Sequence, residues 1–203
     1  RIGTHVWAER FDGAAAETLD FQDQVAQSIS LATRHDLLMA RWNLRDRAPA
    51  DEPEVRLLVQ RATAKYYEFT QDSLAKAVAL AERALSIDPS STRAMRMLAL
   101  CISSAIAEGT LPASPETMAR ALSLAEQAVG QVPEDEFARC ILSWALANVG
   151  RSLDAVAELK HAIGLNPEYP TPHSDLAEQY AILGRCEEAL AEAREAMRLG
   201  SVD

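Results

Sequence analysis

Small apolar residues recur along the chain at one spacing. Ala77, Ala81 and Ala84 precede Pro89; Ala121, Ala125 and Ala128 precede Pro133; Ala155, Leu159 and Ala162 precede Pro167. In each set the steps are four, three and five residues, and a fourth set, Ala189, Ala193 and Ala196, ends on Ser201 where the proline would fall. Residues four and three apart share one face of an α-helix, so each set predicts a helix with a stripe of little bulk. The proline behind it cannot continue the hydrogen-bond ladder and enforces a turn. Pro133 and Pro167 are 34 residues apart, whereas Pro89 and Pro133 are 44 apart. The pattern is therefore an internal repeat with ten extra residues in one unit. Gly109, Pro112 and Ser114 place that insertion in a loop around residues 107–114.

A bulkier helix precedes each stripe. Met95, Leu98 and Ile102 predict one over 92–108, Leu142, Trp144 and Leu146 one over 136–149, and Leu176 and Tyr180 one over 170–183. Gly150 and Gly184 fall at the turns inside the last two units, where a helix C-cap needs positive φ. Ser114-Pro115 and Thr171-Pro172 put a capping hydroxyl before an N1 proline, and Asp72 is placed to cap a helix over 73–87. The expected fold is all-α, a solenoid of antiparallel helix pairs.

Composition narrows the function. The 203-residue chain carries a net charge of −10, of which −9 falls from residue 51 onward. That sign repels phosphate backbones and anionic bilayers, so neither nucleic acid nor membrane is expected as partner of this segment. Cys101, Cys140 and Cys186 are odd in number and far apart, which reads as small buried hydrophobes in a reducing, cytoplasmic compartment. The chain starts at Arg1 and is read as a piece of a larger protein.

The 34-residue unit with these positions resembles the tetratricopeptide repeat (TPR). Residues 136–169 match best, with Leu142, Ser143 and Leu146 where that family prefers Leu, Gly and Tyr, followed by Gly150, Ala155, Ala162 and Pro167. Residues 170–203 keep Leu176, Ala177, Tyr180, Gly184, Ala189 and Ala196, while residues 58–91 depart, with Ala64, Lys65 and Glu68 at the core positions of the first helix. The resemblance implies a TPR domain over 58–203 in about four units, 58–91, 92–135, 136–169 and 170–203.

The N-terminal residues are similar to a different pattern. The run Gly3 to Gly13, Gly-Thr-His-Val-Trp-Ala-Glu-Arg-Phe-Asp-Gly, reads as a short strand and a turn, and Asp20 caps a helix through Phe21, Val25, Ile29, Leu37 and Leu38 towards Trp42. Together they resemble the junction at which a TolB-like α/β domain of bacterial multidomain proteins leads into TPRs. On that basis residues 1–13 are a strand remnant of an upstream TolB-like domain, and residues 14–57 a helical linker packing on the array. The arrangement is common downstream of class III adenylate/guanylate cyclase domains and also occurs behind the winged helix of transcriptional regulators; the resemblance favours the cyclase. Because such cyclases work as dimers, it also implies a possible homodimer.

Nothing in the sequence points to catalysis. There is no P-loop, dinucleotide fingerprint, HExxH or CxxC, and His5, His35, His161 and His173 are scattered as surface or cap residues. Ser103-Ser104 have no acid or His at a suggestive spacing. The expectation is a non-enzymatic segment with no cofactor and no metal. In the TPR family the first helix of each repeat lines a concave groove that binds protein or peptide. Carried onto this sequence, the groove residues are Tyr66 and Phe69, Arg93 and Arg96, Phe137, Cys140, Trp144 and Asn148, then Ser174 and Glu178. Such a groove suits a peptide with an apolar anchor and an acidic group. TPRs that clamp a chaperone's C-terminal carboxylate use Lys and Asn where this chain has Ala62, Tyr66, Arg96, Leu100, Cys140, Trp144, Ser174 and Glu178, so that subtype is not expected.

Overall fold

The computed structural model describes residues 51–68 and 70–200, all within one unit, Arg47–Asp203. The expected strand at 4–11 and the helix capped by Asp20 lie outside the described residues. Among those residues there are eight helices and no strand. We number them α1 (Pro53–Tyr66), α2 (Gln71–Ile87), α3 (Thr92–Ala107), α4 (Pro115–Gln131), α5 (Glu136–Asn148), α6 (Ser152–Leu165), α7 (Pro170–Ile182) and α8 (Cys186–Gly200).

Consecutive helices pack as hairpins, α1 on α2, α3 on α4, α5 on α6 and α7 on α8. Each hairpin then stacks on the next. The first helices touch one another along the array, α1 to α3, α3 to α5 and α5 to α7, while no second helix touches another second helix. That asymmetry puts the first helices on the inner wall of a curved stack and the second helices on its outside.

The alanine stripes explain why the helices approach so closely. Ala77, Ala81, Ala84, Ala125, Ala128, Ala155 and Ala162 have no exposed surface, and Ala121 almost none. They face bulk from the first helices, including Met97, Leu98, Leu100, Ile102 and Ile141, all fully buried. Alternating small against large surfaces fills space at interior density without forcing side chains off their preferred rotamers. The fourth stripe differs, for α8 has no buried residue and Leu190 and Met197 face solvent.

Local signals set the helix ends. Ser114 Oγ accepts the Thr117 amide proton with Pro115 at the first helical position, and Gly150 and Gly184 turn at φ 78° and 72°. Three expectations need correction. Asp72 is not the cap of α2: Thr70 is, in a reciprocal capping box with Ser73. Thr171 does not cap α7, which starts at Pro170 after Tyr169 without a side-chain cap. The core positions of α1 are Val55, Leu58, Val59 and Ala62, not Ala64, Lys65 and Glu68, because the helix starts at Pro53 inside the expected linker.

The ten extra residues of the second unit are not a loop insertion alone. Helices α3 and α4 have 16 and 17 residues against 13 and 14 in α5 and α6. The lengthened turn between α3 and α4 contains Gly109 at φ 68°.

Polar joints link successive hairpins. Asp135 caps α5, its Oδ1 accepting the Phe137 and Ala138 amide protons at 3.0 Å each, while its Oδ2 pairs with the buried Arg96 guanidinium of the preceding unit. Arg93 reaches Asp51 at 3.0 Å. Arg139 donates through Nε to the Pro133 carbonyl ahead of α5 at 2.9 Å and, within the α5–α6 hairpin, pairs with Glu158 at 2.6 Å.

If small stripe residues set the hairpin spacing, Ala125→Leu overpacks the α3–α4 contact. The expected loss is about 1–3 kcal/mol, read as an earlier urea midpoint. An unchanged midpoint would show that the stripe has slack.

Candidate groove site

Among the described residues, two adjoining pockets lie on the inner wall, both lined by Tyr66, Ser104 and Ala107. The larger, about 270 Å³, lies between α1, α3, α5 and α7. The smaller, about 210 Å³, extends past Glu108 and Thr110 to Thr70, Gln71 and Leu74. A 3.1 Å hydrogen bond between the Tyr66 hydroxyl and Ser104 Oγ joins α1 to α3 at the residues the two pockets share.

The expected groove residues separate into several groups. Tyr66, Trp144, Asn148 and Glu178 line the larger pocket. Ser174 is exposed and lines neither pocket, and Phe69 lies outside the described residues. Four others line neither pocket. The Arg93 and Arg96 guanidinium groups are engaged by Asp51 and Asp135 at joints between units, and Arg96 also stands 5.9 Å above the Phe137 ring. Phe137 packs against the core cluster. Cys140 has no exposed surface, and burial pushes its thiol well above the usual range. No Lys or Arg lines either pocket, so neither offers a cation to an acidic peptide.

Among the residues of the larger pocket that the sequence did not mark are Ser103, Asp175 and Gln179. Their signal was present in the spacing, since Asp175, Glu178 and Gln179 follow the i, i+3, i+4 rule for one face of α7. Each has a buried side-chain oxygen, Ser103 Oγ, Asp175 Oδ2 and Gln179 Oε1, with no hydrogen-bond partner among the described residues. The Trp144 indole N–H donates to the Asp175 carboxyl, and Asn148 Nδ2 donates to the Ser103 carbonyl at 3.3 Å. Burial pushes Asp175 up to about 7; the Trp144 hydrogen bond opposes the shift and the Glu178 charge adds to it.

Two further corrections concern residues away from the groove. Cys186 is exposed rather than a buried hydrophobe. His173 is buried rather than a surface group, its Nδ1 lying 2.7 Å from Glu192 Oε2 between α7 and α8.

This geometry, inner helices in contact and outer helices apart, is that of a TPR solenoid. The fold comparison agrees. TTC0263, a thermophilic TPR protein of Thermus thermophilus, superposes with a TM-score of 0.61 over 92% of both chains at 19% identity. MamA AMB-1 gives 0.53 over 85% of this chain and 93% of its own, at 24% identity. In sequence, the chain is 28% identical over 146 residues to a protein of Rhizobium meliloti (strain 1021) described as "Putative adenylate cyclase 3". The match covers 70% of this chain and spans about a quarter, 25%, of that relative. No family model matches the chain. Among the described residues no helix is long and apolar enough to cross a membrane.

The raised Asp175 value has a thermodynamic consequence. Between its ordinary 3.8 and about 7 the folded chain holds a proton that the unfolded chain has released, so stability falls as pH rises through that window and levels off above it. Asp175→Asn removes this term, worth up to roughly 4 kcal/mol at 1.4 per unit. Relative to wild type, the variant should gain stability between about pH 4.5 and pH 8 in urea unfolding. A difference independent of pH would mean that Asp175 titrates as an ordinary carboxyl.

Proposed function

We propose that this segment is a non-catalytic regulatory module of a multidomain bacterial adenylate/guanylate cyclase, acting in the cytoplasm, whose inner wall receives an extended segment of a partner protein. The observation that carries the binding role is the larger pocket, with its aromatic walls and unpaired buried oxygens. Native chains leave few such groups without a function or a bound partner. The cyclase assignment is supported by the 28% identity to the Rhizobium meliloti protein. It also accords with the resemblance of the N-terminal junction.

The arm of a winged-helix transcriptional regulator is the second reading, since the same junction occurs there. The comparison with the Rhizobium meliloti protein favours the cyclase. Self-association belongs to the first reading. Cyclases of that class work as dimers, and the Leu190 and Met197 edge of α8 is open to solvent.

Site-specific photo-cross-linking tests the groove. A photoreactive residue at Asn148, on the inner wall, should capture a defined protein in cells, whereas one at the outward-facing Gln127 should not. Capture from Gln127 alone would remove the groove from the function. Expression of the full reading frame in a cyclase-deficient strain tests the parent activity, and an absence of cyclic AMP and cyclic GMP production would leave the regulator reading.

A further inference from the structure

We infer that the larger pocket is a recognition site for an arginine side chain of the partner polypeptide, seated among Asp175, Ser103 and Gln179 with its plane against Trp144 and Tyr66. The inference rests on the groove reading above and reverses the charge first expected of the ligand.

The argument begins from the unpaired atoms. Asp175 Oδ2, Ser103 Oγ and Gln179 Oε1 are buried oxygens, and their residues line the same volume. A ligand that displaces water from this pocket has to bring donors, or leave three acceptors desolvated and unmet. Guanidinium is rich in them, with five N–H donors in a planar fork and no acceptor. Its faces stack on aromatic rings, which the pocket supplies as Trp144 and Tyr66. Lysine offers three donors but no plane to stack.

Charge points the same way. Glu178 lines the same pocket and Glu108 the adjoining one, with no cation in either lining. A cation entering the pocket meets a carboxyl that burial holds near neutrality, and binding draws off its proton. The charged side chain acting on Asp175 is Glu178, from its own helix. Tyr66 of α1, Cys140 of α5 and Tyr169 before α7 are also coupled to it, and burial holds all three neutral. Among the described residues α6 and α8, which also pack on α7, present no charged group that shifts it.

The test uses the whole chain labelled with ¹⁵N. The Trp144 indole N–H resonance, assigned by Trp144→Phe, is followed while N-acetyl-arginine methylamide is added. A saturable shift is expected near pH 8. Near pH 5.5 the apparent affinity should be about 30-fold weaker, because only the ionised carboxyl binds. Asp175→Asn should weaken binding by about tenfold or more. Glu178→Gln, at an exposed position where folding is not at stake, should weaken it by about threefold. The glutamate analogue should give no shift.

Equal responses to the arginine and glutamate analogues would overturn the inference, as would an arginine affinity untouched by both substitutions. Cross-linking from Asn148 combined with a silent arginine titration would sink this inference alone and leave the groove standing. Arginine binding with cross-linking only from Gln127 would leave the subsite and remove the partner groove.

Discussion

The fold depends on how near two helices can come. Buried alanines, three on α2, three on α4 and two on α6, leave room for Met, Leu and Ile from the first helices, so that these hairpins close as wedges of defined thickness. Repetition of that wedge makes the inner helices meet while the outer ones diverge. The groove is a by-product of this geometry, since an inner wall of touching first helices follows wherever the outer helices are spaced apart. No element of the described chain has to depart from the repeat geometry to form that wall, and its surface chemistry is set by the residues that face inward.

Those identities come from four different helices. Tyr66, Ser103, Trp144 and Asp175 are carried by α1, α3, α5 and α7 and meet at one pocket. A residue on one first helix reaches the next unit's partner only because the repeat is regular across them. The longer second unit fits this regularity. Its added residues are shared between two helices and the turn that joins them, so α3 still lies against both α1 and α5.

The hairpins were legible in the sequence because their signals are local. A stripe of alanines, a proline five residues behind it and a glycine at the inner turn are all read within one unit. The start of α1 was not, because Val55, Leu58 and Val59 lie ahead of the expected first unit and Pro53 marks the true beginning. In the groove the helical face could be placed, but not the partners of its charges. Arg96 is 39 residues from Asp135 and Arg93 is 42 from Asp51, so nothing in the neighbouring sequence revealed that these cations were already engaged. Asp175 was overlooked for the opposite reason: an acid on a helix reads as solvated surface until four helices are seen to enclose its carboxyl.

Asp135 belongs to two structures at once. One carboxylate oxygen completes the first turn of α5 and the other holds a guanidinium of the unit before it. A carboxylate shared in this way makes the boundary between the second and third units a latch rather than a loose hinge. Fraying the start of α5 strips Arg96 of its counter-charge, and pulling Arg96 away unseats the first turn of α5. Mechanical load or thermal loosening at that boundary should therefore pass to both neighbours together.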